Sequence, residues 1–174
     1  MPNSNGWFII ILKWGKVVES VCLSIEKYRK GDEVMLLVGE YRHAIDAKNR
    51  LFIPAKHREQ LGESFIITRK MEKCLALYSD GEWQKFTDKL NTLPDSVVGE
   101  IKQFLFPKTM WASPDAQGRV VITPELRSYA ELDKNVVIIG VGDHAQIWSE
   151  SRWQEKESKR DTDAMVELLR KLGL

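Results

Sequence analysis

The stretch DAKNRLFIPAKHR, Asp46 to Arg58, is written a second time as DAQGRVVITPELR, Asp115 to Arg127. Each copy sets an Asp and an Arg four residues apart, then an apolar run, a Pro and another Arg. The same order of elements is expected around each motif: strand, tight turn, strand, short helix, strand, turn, strand, helix. The period of about 70 residues exceeds the roughly 20 to 50 of a stacking repeat, and two copies do not make an array. Half of a 174-residue chain is also too small to bury a good core alone. Four short strands per half therefore predict one body, a barrel built from both copies about an approximate twofold axis. The fold class expected is mainly β with peripheral helices, α+β.

In the first copy EYRHAID alternates as a half-buried strand does, and NRLFI is rich in strand formers. Between them lies Ala47-Lys48-Asn49, where the second copy has Ala116-Gln117-Gly118. Asn and Gly tolerate positive φ best, so both copies predict a tight hairpin turn. Pro54 and Pro124 are placed to open short helices. SFIITRK and CLALYS, then NVVIIGVG and AQIWSE, supply the remaining strands. Helices are expected from Trp83 and from Trp153. The first runs to about Leu90; Pro94 breaks it, and a second, capped by Ser96, runs to about Phe106 before Pro107 stops it. At the C-terminus Met165, Leu168, Leu169 and Leu172 are spaced as the apolar stripe of a helix capped by Thr162. Packing within the chain is the expected use of this stripe, and a subunit contact is the other. The resulting boundaries are 39–81 for the first repeat, 82–109 for a helical linker, 110–153 for the second repeat and 154–174 for a C-terminal helix.

A formal net charge of +1 means that any basic surface is local. Tyr41 to Lys73 holds eight Lys and Arg against four acids, whereas Asp115 to Glu150 holds three against six. The two copies thus differ in sign. Cys22 and Cys74 share no metal-ligand spacing, and His43, His57 and His144 are scattered, so no metal site is expected. Two lone thiols fit a reducing cytoplasm. The run WFIIILKW, Trp7 to Trp14, is far below the roughly 20 residues of a spanning helix, and no membrane anchor is read. No GxSxG, P-loop or HExxH motif occurs, and the chain is not expected to be an enzyme or to carry a cofactor.

The paired Asp and Arg admit a structural role: Asp46 with Arg50, and Asp115 with Arg119, hold the bend. Exposed pairs of this kind contribute roughly 0 to 1 kcal/mol. The Asp side chains are assigned to turn shaping. The tip carrying Lys48 and Arg50 is narrow and cationic, and a two-stranded ribbon fits the roughly 12 Å major groove of DNA. Lys and Arg there can meet phosphates, and Arg can hold the guanine edge through two hydrogen bonds. A solvated basic face is the other reading.

On these residues, GEYRHAIDAKNRLFIPAKHR and ASPDAQGRVVITPELR, the chain from Met35 onward resembles the MraZ family, whose Asp-x-Lys-Gly-Arg motif occurs twice. The resemblance implies an AbrB-like fold in which two SpoVT-AbrB units build one pseudo-symmetric swapped-hairpin (double-split) β-barrel. It further implies a ring-shaped homo-oligomer, cytoplasmic and nucleoid-associated, that binds double-stranded DNA at direct repeats in the promoter of its own division and cell-wall gene cluster and regulates transcription. Carried onto this sequence, the DNA-binding residues are Lys48, Asn49, Arg50, Gln117, Gly118 and Arg119. Asn49 stands where the motif has Gly, and Gln117 where it has Lys. The first copy is expected to make the stronger phosphate contact, and Arg119 to be the sharper test of base recognition. AbrB-like antitoxins and a protein-interaction scaffold are the alternatives.

The resemblance does not reach residues 1–34. Lys30-Gly31-Asp32 can be encoded by AAA-GGA-GAY, a purine-rich ribosome-binding sequence a few codons ahead of Met35. One reading starts translation at Met35; the other makes the head a real extension with a peripheral helix over VVESVCLSIEKYR.

Overall fold

The computed structural model describes residues 36–173, the side chain of Asp95 excepted. The head, its possible helix, Cys22 and the choice of a start at Met35 lie outside the described residues. Everything from there to Lys159 belongs to one unit, and the residues from Arg160 on belong to a second, described by themselves.

In each copy the apolar stretches are strands, and their partners come from the other copy. β1 (Glu40–Ala44) pairs antiparallel with β7 (Asn135–Gly140). β5 (Met110–Ala112) pairs with β3 (Phe65–Lys70). Each copy also keeps a hairpin of its own, β3 with β4 (Cys74–Ser79) and β7 with β8 (Ala145–Ser149). β4 and β8 join the halves, which gives the order β1-β7-β8-β4-β3-β5. Exchanging copy one for copy two reverses this order onto itself, which is the expected twofold pseudo-symmetry. The remaining strands, β2 (Arg50–Phe52) and β6 (Arg119–Val121), pair with each other as a separate two-stranded ribbon. The fold is α+β, as expected, with a swap of partners between the copies.

The hairpin turn expected after β1 is therefore a turn without a hairpin. Its two arms leave for different sheets, β1 to β7 and β2 to β6. On the inner side Leu51 and Val120 of the ribbon are buried with Phe65, Ile67, Leu75, Leu77, Ile138 and Ile147 of the sheet in one core. The opposite face of the sheet is covered as well: Ile66, Ala76 and Tyr78 meet Trp83, and Val137, Ile139 and Trp148 meet Trp153. Burial on both faces explains why FIITRK and NVVIIG read as apolar runs rather than alternating ones. Gly140 marks the closest backbone approach. A Cβ there would lie 2.3 Å from the Leu37 and Val38 backbone, which bridges to Gly142.

The helices start earlier than their aromatic residues suggested. α1 (Ala55–Leu61) begins after Pro54, which sits at the cap, while α4 (Pro124–Tyr129) is capped by the Thr123 side chain with Pro124 as its first residue. α2 (Asp80–Asn91) opens at Asp80 and not Trp83, because Ser79 accepts a hydrogen bond from the Glu82 amide. α3 (Asp95–Leu105) has Pro94 at its cap, so Ser96 lies inside the helix and the expected Ser96 cap is not formed. Pro107 stops it through a 3-10 turn, Phe106–Lys108. The helix expected from Trp153 is α5 (Glu150–Ser158), and the one carrying the apolar stripe is α6 (Thr162–Lys171).

In α6 the cap is Asp161, whose carboxylate accepts from the Ala164 amide, and not Thr162. Met165 and Leu169 are 45% and 41% exposed, and no residue of α6 is buried. Among the described residues no helix is long and apolar enough to cross a membrane.

Candidate nucleic-acid interface

Both turns are built the same way. Asp46 Oδ1 accepts from the amides of Lys48 at 2.8 Å and Arg50 at 2.9 Å, while Oδ2 takes Arg50 Nε at 2.7 Å. Asp115 Oδ1 accepts from the Gln117 and Arg119 amides at 2.9 and 3.0 Å, and its Oδ2 takes Arg119 Nε and Nη2 at 3.0 and 2.8 Å. An Asp side chain that caps two amides ahead of it closes a turn that a hydrophobic residue cannot close. The third residue then turns left-handed, Asn49 at φ 57° and Gly118 at φ 77°. Asn and Gly bear that conformation with the least strain.

These two positions face inward. The Asn49 and Gly118 amides donate to Asp46 and Asp115 carbonyls, and their own carbonyls accept from Ile122 and Ile53. The Asn49 side-chain oxygen takes Arg127 Nη1 at 2.6 Å. Gly118 is buried beneath Arg58, whose guanidinium would stand 2.8 Å from a Cβ placed there. Asn49 and Gly118, both expected among the contact residues, also hold the turns in place.

Arg58 and Arg127 were missed as functional positions. Each is fixed by its Nε to a carbonyl near its own helix, Ile53 at 3.0 Å and Leu132 at 2.9 Å, and reaches over to the turn of the other copy. Their signal was present in the repeat, an Arg at the same distance after each Asp, but its target lay in the other copy.

The ribbon presents what remains. Leu51 and Val120 point into the core, so Arg50, Phe52, Arg119 and Val121 share the outer face. Phe52 is 36% and Val121 53% exposed. Lys48 and Gln117 are exposed at the turns, and Arg50 and Arg119 are half-buried against their Asp partners. Arg50 gives Asp46 only its Nε, whereas Arg119 gives Asp115 both Nε and Nη2. Arg58 adds a cation at 5.7 Å from the Phe52 ring. The surface offers forked donors and one ammonium group, that of Lys48, on a narrow two-stranded ribbon, the chemistry that phosphates and guanine edges accept.

The hydrogen bonds also set the protonation of the turns. The Arg50 amide and side chain hold the Asp46 carboxyl below its ordinary value. At Asp115 the Arg119 side chain is the main cause, and the pKa falls from 3.8 to about 2. A depressed carboxyl supports the folded turn fully above pH 3.8, and that support is lost as pH falls through about 2. An NMR titration should find Asp115 ionising near 2, and Arg119→Ala should move it back toward 3.8. An Asp115 that titrates at 3.8 in the parent chain would remove the hydrogen-bonded turn from the account.

The family described as "MraZ protein, putative antitoxin-like" matches residues 36–98 and 105–168 of this chain. The chain is similar to a protein of Clostridium acetobutylicum named "Transcriptional regulator MraZ", 39% identical over 142 residues, which are 80% of this chain and all of the relative. A protein of the same name from Clostridium tetani is 38% identical over 142 residues, with the same coverage. One from Oenococcus oeni is 43% identical over 122 residues, 69% of this chain and 85% of that protein.

Proposed function

The chain belongs to the MraZ family, and from that premise we propose that it is a sequence-specific DNA-binding transcriptional regulator. The observation that carries the reading is the ribbon: two Arg side chains on its outer face, each aimed by an Asp, with Lys48 beside one of them. Lys48 and Gln117 meet phosphates, Arg50 and Arg119 meet base edges in the major groove, and Asn49, Gly118, Arg58 and Arg127 keep the turns in shape. The two copies, 39–81 and 110–153 about a linker at 82–109, act as one body. Its targets are direct repeats upstream of its own gene cluster, at the nucleoid. A chain of net charge +1 gains affinity there by assembling into a ring whose subunits engage successive repeats, each raising the effective concentration of the next.

Protection mapping on the DNA upstream of its own gene tests this. The expected result is a periodic footprint on the repeats, with affinity that falls steeply with salt. Lys48→Ala should weaken all sequences alike and reduce the salt slope by about 1. A footprint indifferent to sequence overturns the specific reading.

A second reading draws on α6, whose exposed Met165 and Leu169 stand on a helix with no buried residue. An antitoxin-like protein or an interaction scaffold would hold a partner protein there. Loss of a co-purifying partner on Leu169→Asp, with DNA protection unchanged, would favour it.

A further inference from the structure

The turns after β3 and β7 bring together polar side chains that the ribbon does not use. Lys70 Nζ lies 2.6 Å from Nε2 of His144, whose Nδ1 lies 2.6 Å from Oδ1 of Asp143. Their neighbours fix the tautomer. Trp148 Nε1 donates to Gln146 Oε1 at 2.9 Å, so the Gln146 amide nitrogen, 3.2 Å from His144 Nε2, is a donor. With two donors facing it, Nε2 carries the lone pair, and Nδ1 carries the proton given to Asp143. Tyr78 stacks on the imidazole at 4.8 Å and holds its plane. The His144 side chain is only 11% exposed, that of Asp143 is 52% exposed, and Lys70 is half-buried.

A nucleophile within hydrogen-bond reach of a base, with the base oriented by a third group, is the arrangement that activates an otherwise protonated side chain. Burial adds to it by lowering the Lys70 pKa. Cys74 is no competitor, since burial pushes its thiol up to about 12. The carboxylates of Asp143 and Glu72 act on Lys70, with Lys156, the ion-pair partner of Glu72, as a second cation, and the Tyr129 hydroxyl donates to the Lys70 carbonyl at 2.8 Å.

The geometry points to Lys70 as an acyl-acceptor site, modified by acyl phosphates with His144 as its base. One ammonium proton passes to His144 Nε2 and on to water. The freed amine attacks the carbonyl carbon, the N–C bond forms, and the C–O bond to phosphate breaks. The second proton leaves with the phosphate as hydrogen phosphate. The product is a neutral amide in place of a cation.

Incubating the full chain with acetyl phosphate and following each lysine by mass spectrometry tests this. Lys70 should be acetylated faster than exposed Lys48 and Lys159 by about tenfold or more, a fraction of the roughly 100-fold or greater that a positioned base supplies in enzymes. His144→Gln should bring Lys70 down to the rate of those two. Asp143→Asn should lower it less. Lys48 and Lys159 serve as internal references, because unfolding of a variant would raise many lysines together. A Lys70 no faster than the references, or one unaffected by His144→Gln in a chain whose references are unchanged, overturns the proposal.

Discussion

On the proposed function, Arg50→Ala and Arg119→Ala are expected to lose binding to the upstream repeats while the chain stays folded. Each base-edge contact is expected to be worth about 1 to 3 kcal/mol, and the loss multiplies where several subunits bind one DNA. The loss in stability should be small, since exposed ion pairs contribute about 0 to 1 kcal/mol. The two arginines are not equivalent. Arg50 keeps both terminal nitrogens clear of Asp46, whereas Arg119 spends Nη2 on Asp115 and must release it to grip a guanine with two hydrogen bonds. The larger effect is therefore expected at Arg50. Arg50→Lys should recover little, because an ammonium cannot reproduce the fork. Fluorescence anisotropy on repeat and scrambled DNA, beside a thermal melt, reads both quantities. Variants that bind the repeats like the parent would make the ribbon a structural device only.

Leu51→Ala is expected to cost about 2 to 5 kcal/mol of stability, the range for a fully buried leucine cut to its Cβ. Leu51 is 0% exposed and stands opposite Val120 at the centre of the three-rung ribbon. It is the side chain that seats the ribbon on the sheet, in the same core as Phe65 and Ile138. Little can collapse into the gap, because the ribbon is also tied at both ends by the Asn49 and Gly118 carbonyls. Denaturant unfolding measures the change; a loss below about 1 kcal/mol, the scale of surface positions, would mean that the ribbon is held by its turns alone.

The turns were legible in the sequence because their chemistry is local. An Asp that caps amides two and four residues ahead, followed by Asn or Gly at positive φ, is written within five residues. β3, β4 and β7 were legible as apolar runs and β1 by its alternation. Their partners were not: β1 with β7 and β5 with β3 are choices between equivalent strands of two copies, and nothing within one copy states which to take. Helix starts were misplaced at Trp83 and Ser96 because an aromatic residue and a good capping residue outweighed Ser79 and Pro94, which the chain uses. Arg58 and Arg127 stood in plain view as part of the repeat, yet their roles depend on contact with the opposite copy. Lys70 and His144, 74 residues apart, left no local trace.

The exchange of strands also bears on how the protein is made. When a ribosome has released residues 40–79, β3 and β4 can close on each other at once, but β1 has no partner until β7 emerges, and β2 none until β6 does. At about 5 to 20 residues per second, β1 waits some seconds with open edges and uncovered apolar side chains. A nascent chain stalled after the α2–α3 segment should thus be protease-sensitive at β1 and β2 and protected at β3 and β4, and should become resistant throughout only when the second copy is complete.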